Sequence, residues 1–284
     1  MTALANLLGV TAFTLPLGAM TILFGVALIC SALGYRRVVY FVSIGYAFSI
    51  VSMAVLAPLL FAANLTSASV AQNLLLLAWG VRLGWFLVRR ELHPSYRNEL
   101  ASVQERGAGI TTGRKVVIWV GVALLYVIMY SPALFQLTPA HAPAPLAALA
   151  TQTLGLALMA GGLLVEAVAD AQKSAFKAAN PRAFCDVGLY RWVRCPNYLG
   201  EITFWLGNWV VAMAFYTSVV QWIVASVGFA CILLIMMGST KRLEDQQNRR
   251  YSVQPAYQRY VSTVPVLFPF VPVYTLKDVR VYIE

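Results

Sequence analysis

Apolar stretches long enough to cross a bilayer recur along almost the whole chain. A hydrocarbon core of about 30 Å needs roughly 20 helical residues. Seven stretches are predicted as spans, near Leu8–Leu33, Val38–Ala63, Ser69–Val88, Val116–Leu137, Leu146–Asp170, Leu199–Phe215 and Val219–Met237. With 60% hydrophobic and 11% charged residues, the chain is predicted to be an all-α integral membrane protein forming a single transmembrane domain over 1–284.

The connections between the predicted spans alternate between charged and uncharged. The connections after spans two, four and six (64–68, 138–145 and 216–218) contain no Lys, Arg, Asp or Glu. Because cytosolic loops keep basic residues while short translocated loops avoid them, the N-terminus is predicted outside and the C-terminus in the cytosol. The expected location is a bacterial cytoplasmic membrane or the endoplasmic reticulum.

The net charge of +10 is therefore expected on one face of the membrane. There it suits anionic membrane lipids or an anionic ligand, and no nucleic-acid partner is predicted. Ordinary topogenic charge is the alternative explanation. The four cysteines contain no Cys-x-x-Cys pair, and His93 and His141 are predicted on opposite sides of the membrane, so no metal site is predicted.

Some ionisable residues fall within or at the ends of predicted spans, where charge costs a few kcal/mol, about 2.5 to 3.5 on insertion scales. Arg82 lies in span three, where snorkelling to the interface is the alternative to a functional role. Glu166 and Asp170 are four residues apart on span five, so their side chains share a helix face that Lys173 and Lys177 extend. This line predicts a polar binding site, or else an ion-pair network that closes the helix end.

The connection before span six contains the most specific motif. Residues 188–201 read Gly-Leu-Tyr-Arg-Trp-Val-Arg-Cys-Pro-Asn-Tyr-Leu-Gly-Glu, preceded by Asp170 to Lys173 and by Phe176-Lys177. The tail adds Tyr251, Pro-Ala-Tyr-Gln-Arg-Tyr at 255–260 and Leu-Phe-Pro at 267–269. Over 166–269 the chain resembles the C-terminal half of the steroid 5-alpha-reductase superfamily, most closely its DUF1295 branch. A weaker match covers 79–83 in span three.

The resemblance implies a membrane-embedded, NADPH-dependent reductase that adds hydride to an activated carbon–carbon double bond in a steroid, sterol or other lipid. It makes 166–269 the cofactor-binding half. Asn197 and Glu201 match residues that hold the nicotinamide end, and Asp170 matches an acid near the ribose and diphosphate. The cofactor-binding residues it implies are Arg82, Glu166, Asp170, Lys173, Lys177, Arg182, Arg191, Arg194, Asn197, Tyr198, Glu201 and Tyr251.

Reduction of an enone also needs an acid that polarises the carbonyl as negative charge develops on oxygen. A tyrosine or a carboxyl group with a raised pKa would serve, so the catalytic candidates are Glu201, Tyr198 and Tyr46. Steroid 5-alpha-reductases proper use a Gln-Glu pair on an early span, which this chain lacks; its second span offers Tyr40, Ser43, Tyr46 and Ser49. A packing role is the alternative for Tyr46. A second departure is Cys195, where relatives usually carry His, and a thiol cannot replace an imidazolium as a phosphate partner.

Two other functions fit parts of the pattern. Membrane methyltransferases of the isoprenylcysteine or phospholipid type, which use S-adenosylmethionine, share a similar Gly-x-Tyr-x-x-x-Arg run, and their paired tail acid is approximated by Glu244-Asp245. A non-catalytic lipid-binding protein would explain Cys195 and the missing Gln-Glu pair. Asn197 and Glu201 at the entrance of span six favour the reductase.

Overall fold

The computed structural model describes residues 15–92, 109–139 and 143–277. Within these ranges the regular secondary structure is entirely helical. The α-helices are α1 (Leu17–Ser31), α2 (Ile44–Leu60), α3 (Ser67–Leu92), α4 (Thr112–Leu137), α5 (Pro145–Ala179), α6 (Pro196–Val211), α7 (Val219–Tyr251) and α8 (Pro255–Thr263). His93, His141 and the first part of the first predicted span lie outside the described residues.

Six helical segments in the described part of the chain are long and apolar enough to cross a membrane. They correspond to α1, α2, α3, α4, α5 and α7, with short 3-10 turns joined to the first two. These segments coincide with six of the seven predicted spans and confirm the all-α membrane fold.

The span predicted at Leu199–Phe215 is represented by the shorter helix α6. Its 16 residues correspond to about 24 Å of helix, less than a hydrocarbon core of roughly 30 Å. Pro196 opens the helix at its first position, where a proline needs no backbone N–H. Helix α6 therefore begins three residues before the predicted start at Leu199, and like the predicted span it opens inside the polar motif.

Two helices extend well beyond their predicted spans. The connection expected from Ala171 onwards is helical as far as Ala179, because Ala, Gln and Lys are good helix formers and the helix ends just before Asn180-Pro181. Similarly, α7 continues from the predicted end at Met237 to Tyr251. These two helices thus continue past their predicted spans by about two and a half turns and about four turns, respectively.

The chain divides into two compact units, 1–156 with 208–228 and 157–207 with 229–284. They are called unit 1 and unit 2. In unit 1, helices α1 to α4 pack around buried side chains such as Phe41, Ile50, Met53, Leu76 and Trp79. Unit 2 contains most of the predicted cofactor-binding half; only 208–228 of the range 166–269 falls in unit 1.

The interior of unit 1 contains a buried network of uncharged polar side chains. Gln72 donates to Asn208 Oδ1 at 2.8 Å and accepts from Gln136 Nε2 at 2.7 Å, while Gln152 donates to Gln136 Oε1 at 2.9 Å. Next to Gln72 in the sequence, Asn73 accepts from the Tyr130 hydroxyl at 2.6 Å. Because buried amides must be satisfied within the protein, these bonds fix how the helices of unit 1 meet.

In unit 2, α5 and α6 cross with their backbones in direct contact. A Cβ placed on Gly162 would lie 2.5 Å from the carbonyl oxygen of Gly200 and 2.5 Å from the nitrogen of Phe204. A Cβ on Gly200 would lie 2.7 Å from the nitrogen of Glu166. Only glycine allows this approach, as at small-residue crossings in membrane helices generally.

Candidate functional site

Two buried carboxylic acids flank the glycine crossing in unit 2. Glu166 is in van der Waals range of Gly200 through its backbone, and Glu201 is the next residue of α6. Their side chains are only 3% and 7% exposed. The crossing therefore determines where both acids lie, and two predicted site residues share one buried region of the fold.

Asn197 lies in the first turn of α6, one turn before Glu201. Residues four apart on a helix project from the same face, so Asn197 and Glu201 share one face of α6. The Oδ1 atom of Asn197 is buried and has no hydrogen-bond partner among the described residues. Since a buried carbonyl oxygen is normally paired, this atom is suited to accept a bond from a ligand N–H group.

The segment before α6 is fixed on the surface of α5 by several contacts. Gly188 has a φ of +57°, a left-handed conformation that favours glycine, and a Cβ here would collide with the Gln172 side chain. Gln172 Oε1 accepts a hydrogen bond from the backbone of Leu189 at 2.9 Å. Burial, followed by the nearby charge of Asp170, raises the pKa of Tyr190, whose hydroxyl donates to the Ala169 carbonyl. These contacts hold the loop that leads into Asn197.

Arg194 was predicted as a phosphate partner, but its side chain already has partners within the protein. The Arg194 side chain is 2% exposed, and its guanidinium lies 3.3 Å from the Glu244 carboxylate and donates to the carbonyl of Tyr274. Glu244 also accepts a bond from the backbone N–H of Leu276 at 2.9 Å. A buried charge requires such a counter-charge. The predicted role of Arg194 would require this pair to open.

Lys177 and Tyr251 were predicted separately, and they form a pair. The Lys177 ammonium donates to the Tyr251 hydroxyl at 2.9 Å and lies 5.4 Å from the centre of its ring. Phe184 packs against Tyr251, Tyr257 and Tyr260, so the pair borders an aromatic cluster. This cluster joins the end of α5 to α7 and α8.

The other predicted cofactor residues of unit 2 lie nearer the protein surface. Asp170 and Lys173 are half-buried on α5, Tyr198 is half-buried on α6, and Arg182 and Arg191 are exposed in the segment between those helices. The exposed cations give this part of unit 2 a basic character.

Cys195 occupies a buried position between α6 and α7. Burial raises the pKa of its thiol to about 11, even though Lys173, Arg194 and a hydrogen bond with Thr240 act in the opposite direction. The thiol is therefore neutral at physiological pH and cannot act as a charged phosphate partner or as a thiolate nucleophile.

Two predicted site residues belong to unit 1. Tyr46 is buried between aromatic rings, with centroids 4.9 Å from Trp79 and 5.1 Å from Tyr126. Arg82 is half-buried on α3. Tyr40, an alternative candidate on the second span, donates to Glu91 at 2.6 Å and accepts from Arg37 at 2.8 Å. Ser43 and Ser49 bond to carbonyls of their own helical turns.

Sequence reasoning did not predict the partners of Arg194 and Cys195. Thr240 was missed, and Glu244 was considered only as part of the acid pair of a methyltransferase; both lie on the part of α7 that was predicted to follow the span. Glu244 is an acidic residue among the basic residues at the end of α7. Its position shortly after the apolar run of that helix was the signal in the sequence that could have marked it as a site residue. The partner of Arg194 in the tail is a backbone carbonyl, so no side-chain pattern indicates it.

Comparison with known proteins places the chain in a family. The family model described as "Protein of unknown function (DUF1295)" matches residues 34–264, which is well over half of the chain. The chain belongs to the DUF1295 family. No curated protein and no solved structure matches it. The DUF1295 match spans both compact units, so it includes Asn197 and Glu201 as well as Tyr46 and Arg82.

Proposed function

We propose that this DUF1295 protein is a membrane-embedded, NADPH-dependent reductase of an activated carbon–carbon double bond in a steroid, sterol or other lipid. The observation that carries the proposal is the buried, unpaired Oδ1 of Asn197 beside the buried Glu201. The carboxamide of a nicotinamide offers two N–H donors. Two neighbouring acceptors on one helix face suit such a group.

The residues of unit 2 fit a nicotinamide dinucleotide in their chemistry. Asn197 and Glu201 would hold the carboxamide, and Lys173, Arg182 and Arg191 would contact phosphates through charge-assisted hydrogen bonds. Lys177 and Arg194 have partners within the protein, so we assign them to supporting positions. When bound, NADPH supplies the hydride.

The chain's own residues would provide orientation, exclusion of water and a proton. The buried setting of Glu166 and Glu201 keeps water from the reacting end of the site. Tyr198, next to Asn197, is the proposed proton donor to the substrate oxygen, with Glu201 as the alternative acid. A lipid substrate dissolves in the bilayer and the nucleotide in water, which favours a reaction at the membrane boundary, on the cytosolic side.

The contacts of Glu244 favour a reductase over a methyltransferase. The methyltransferase hypothesis depends on an acid pair at Glu244-Asp245, and Glu244 is engaged by Arg194 and by the Leu276 backbone. A non-catalytic lipid-binding protein has no use for an unpaired amide oxygen beside a buried acid.

Ligand titration by calorimetry tests the proposal on purified full-length protein. We expect binding of NADPH in preference to NADH and no binding of S-adenosylmethionine. Asn197→Ala and Glu201→Gln should each weaken NADPH binding about tenfold. The first removes an acceptor and leaves a ligand N–H unpaired, at a cost of about 1 to 3 kcal/mol, and the second replaces a charge-assisted hydrogen bond by a weaker neutral one. Asn180→Ala, at an exposed asparagine of the same unit, is the matched control.

Two results would contradict the assignment. Binding of S-adenosylmethionine alone would replace the reductase with the methyltransferase. Unchanged NADPH affinity in both folded variants would remove Asn197 and Glu201 from the site.

A further inference from the structure

The segment that follows α8 is an apolar loop whose ends are buried and whose tip is exposed. Residues 264–274 read Val-Pro-Val-Leu-Phe-Pro-Phe-Val-Pro-Val-Tyr and contain no charged side chain. Val266, Leu267 and Leu276 are buried, whereas Phe270 is 92% exposed. Val271, Val273 and Tyr274 are exposed as well. Among the described residues, nothing covers this tip.

The loop is held in shape at its base. The backbone N–H groups of Arg194 and Cys195 donate to the carbonyls of Pro265 and Val266, and Val266 donates to Val273. On the returning side, Tyr274 accepts from the Arg194 guanidinium and Leu276 donates to Glu244. Both the entering and the returning part of the loop are thus hydrogen-bonded at the base.

The conformation of the tip is costly for an apolar residue. Phe270 has a φ of 68°, a left-handed conformation that costs a bulky side chain free energy. A loop that displays a phenylalanine in this way keeps it out of the protein core. Such local strain is typical of segments that bind something.

The position of the base along α7 indicates what the tip meets. The apolar run of α7 ends at Gly238, and its first charged residue, Lys241, donates to the carbonyl of Lys277 at the base of the loop. Three residues correspond to about 4.5 Å of helix, less than the headgroup layer of roughly 5 to 8 Å on each side of a bilayer. The base therefore lies at the level of the headgroups.

The charges beside the base complement those of a membrane surface. Lys241 and Lys277 meet there, and basic side chains beside exposed aromatic ones are the usual composition of an interfacial anchor on anionic lipid. We propose that residues 268–274, with Phe270 at the tip, form a membrane anchor that inserts into the lipid interface. Through Tyr274 and Leu276 the anchor connects the membrane surface to Arg194 and Glu244.

Spin labelling of full-length protein in nanodiscs of phosphatidylcholine and phosphatidylglycerol tests the anchor. The label is attached at Phe270→Cys in a chain carrying Cys30→Ala and Cys231→Ala, since the two remaining cysteines are buried. The matched control is Val253→Cys, because Val253 is also apolar and 86% exposed but follows the end of α7, about 20 Å beyond Gly238. Accessibility to oxygen, which partitions into lipid, is compared with accessibility to an aqueous nickel chelate.

We expect the oxygen-to-nickel accessibility ratio at position 270 to be several-fold higher than at position 253. Equal ratios with strong nickel accessibility at both positions would overturn the anchor. A label at position 270 that is shielded from both reagents would also overturn it, and disulfide formation between two chains of the unlabelled Phe270→Cys variant would then identify a second copy as the partner. NADPH binding plays no part in this readout, so its outcome is independent of the proposed reaction.

Discussion

The glycine crossing of unit 2 allows a quantitative prediction of stability, because two adjacent glycines of α5 have different surroundings. A Cβ on Gly162 would lie 2.5 Å from two backbone atoms of α6 and 2.9 Å from a third, whereas a Cβ on Gly161 meets nothing within 4 Å. Normal van der Waals contact begins near 3.4 Å. Gly162→Ala therefore forces the two helices apart by close to 1 Å, and no flexible side chain can absorb the change.

The expected cost follows from two opposing contributions. Overpacking typically destabilises by 1 to 3 kcal/mol, while replacing a helical glycine by alanine stabilises by roughly 0.5 to 1 kcal/mol. Gly161→Ala receives only the second contribution. The free energy of unfolding of Gly162→Ala should thus fall below that of Gly161→Ala by about 2 kcal/mol, the cost of the overpacking itself.

Thermal unfolding of the two variants in the same detergent measures this difference. A change of 2 kcal/mol corresponds to a Tm lower by about 4 to 8 °C, using the scaling for domains of 150 to 250 residues. Because the crossing positions Glu166 beside Gly200, Gly162→Ala should also weaken NADPH binding while Gly161→Ala does not. Equal Tm values for the two variants would refute the close approach of α5 and α6.

Two further predictions concern single polar groups. Tyr130→Phe removes the donor to Asn73 Oδ1 and should destabilise unit 1 by about 0.6 to 1.7 kcal/mol, the range for hydrogen bonds between membrane helices. Thermal unfolding of this variant is compared with that of Tyr35→Phe, at an exposed tyrosine, and equal stability of the two variants would contradict the prediction. Cys195 should resist maleimide at neutral pH in the folded protein, because the residue is buried and its pKa of about 11 keeps the thiol protonated; rapid labelling seen by peptide mass spectrometry would contradict this. Since that pKa is raised above its ordinary value of 9.0, the thiol's contribution to stability is present below about pH 9 and is lost as the pH rises towards 11.

Much of the fold was predictable because the membrane imposes length and apolarity on each spanning helix. Those two properties can be counted along the sequence, and six predicted spans coincide with helices. The ends of α5 and α7 were not predicted. A search for apolar stretches stops at the first charged residues, so it does not detect a helix that continues beyond the membrane. Composition would have served better there: Lys and Gln after Ala171 are good helix formers.

The sequence predicted which residues belong to the candidate site better than it predicted which of them contact one another. The motif at 188–201 contains Asn197 and Glu201, and the structure buries Glu201 and leaves the Asn197 oxygen without a partner. The partners of Lys177 and Arg194 come from residues more than forty positions away, or from backbone carbonyls. Such contacts depend on how helices pack, which a single sequence does not encode as a local pattern. The amide network of unit 1 was not predicted, because Gln and Asn carry no charge and a charge at membrane depth was the signal that pointed to buried polar residues.

That network has a consequence for how unit 1 responds to its surroundings. Gln72, Gln136, Gln152 and Asn208 link their helices without a single ionisable group. Amides neither take up nor release protons near neutrality, and a group without net charge gains no energy from a voltage across the bilayer. The packing that they hold together should accordingly be indifferent to acidification and to membrane potential.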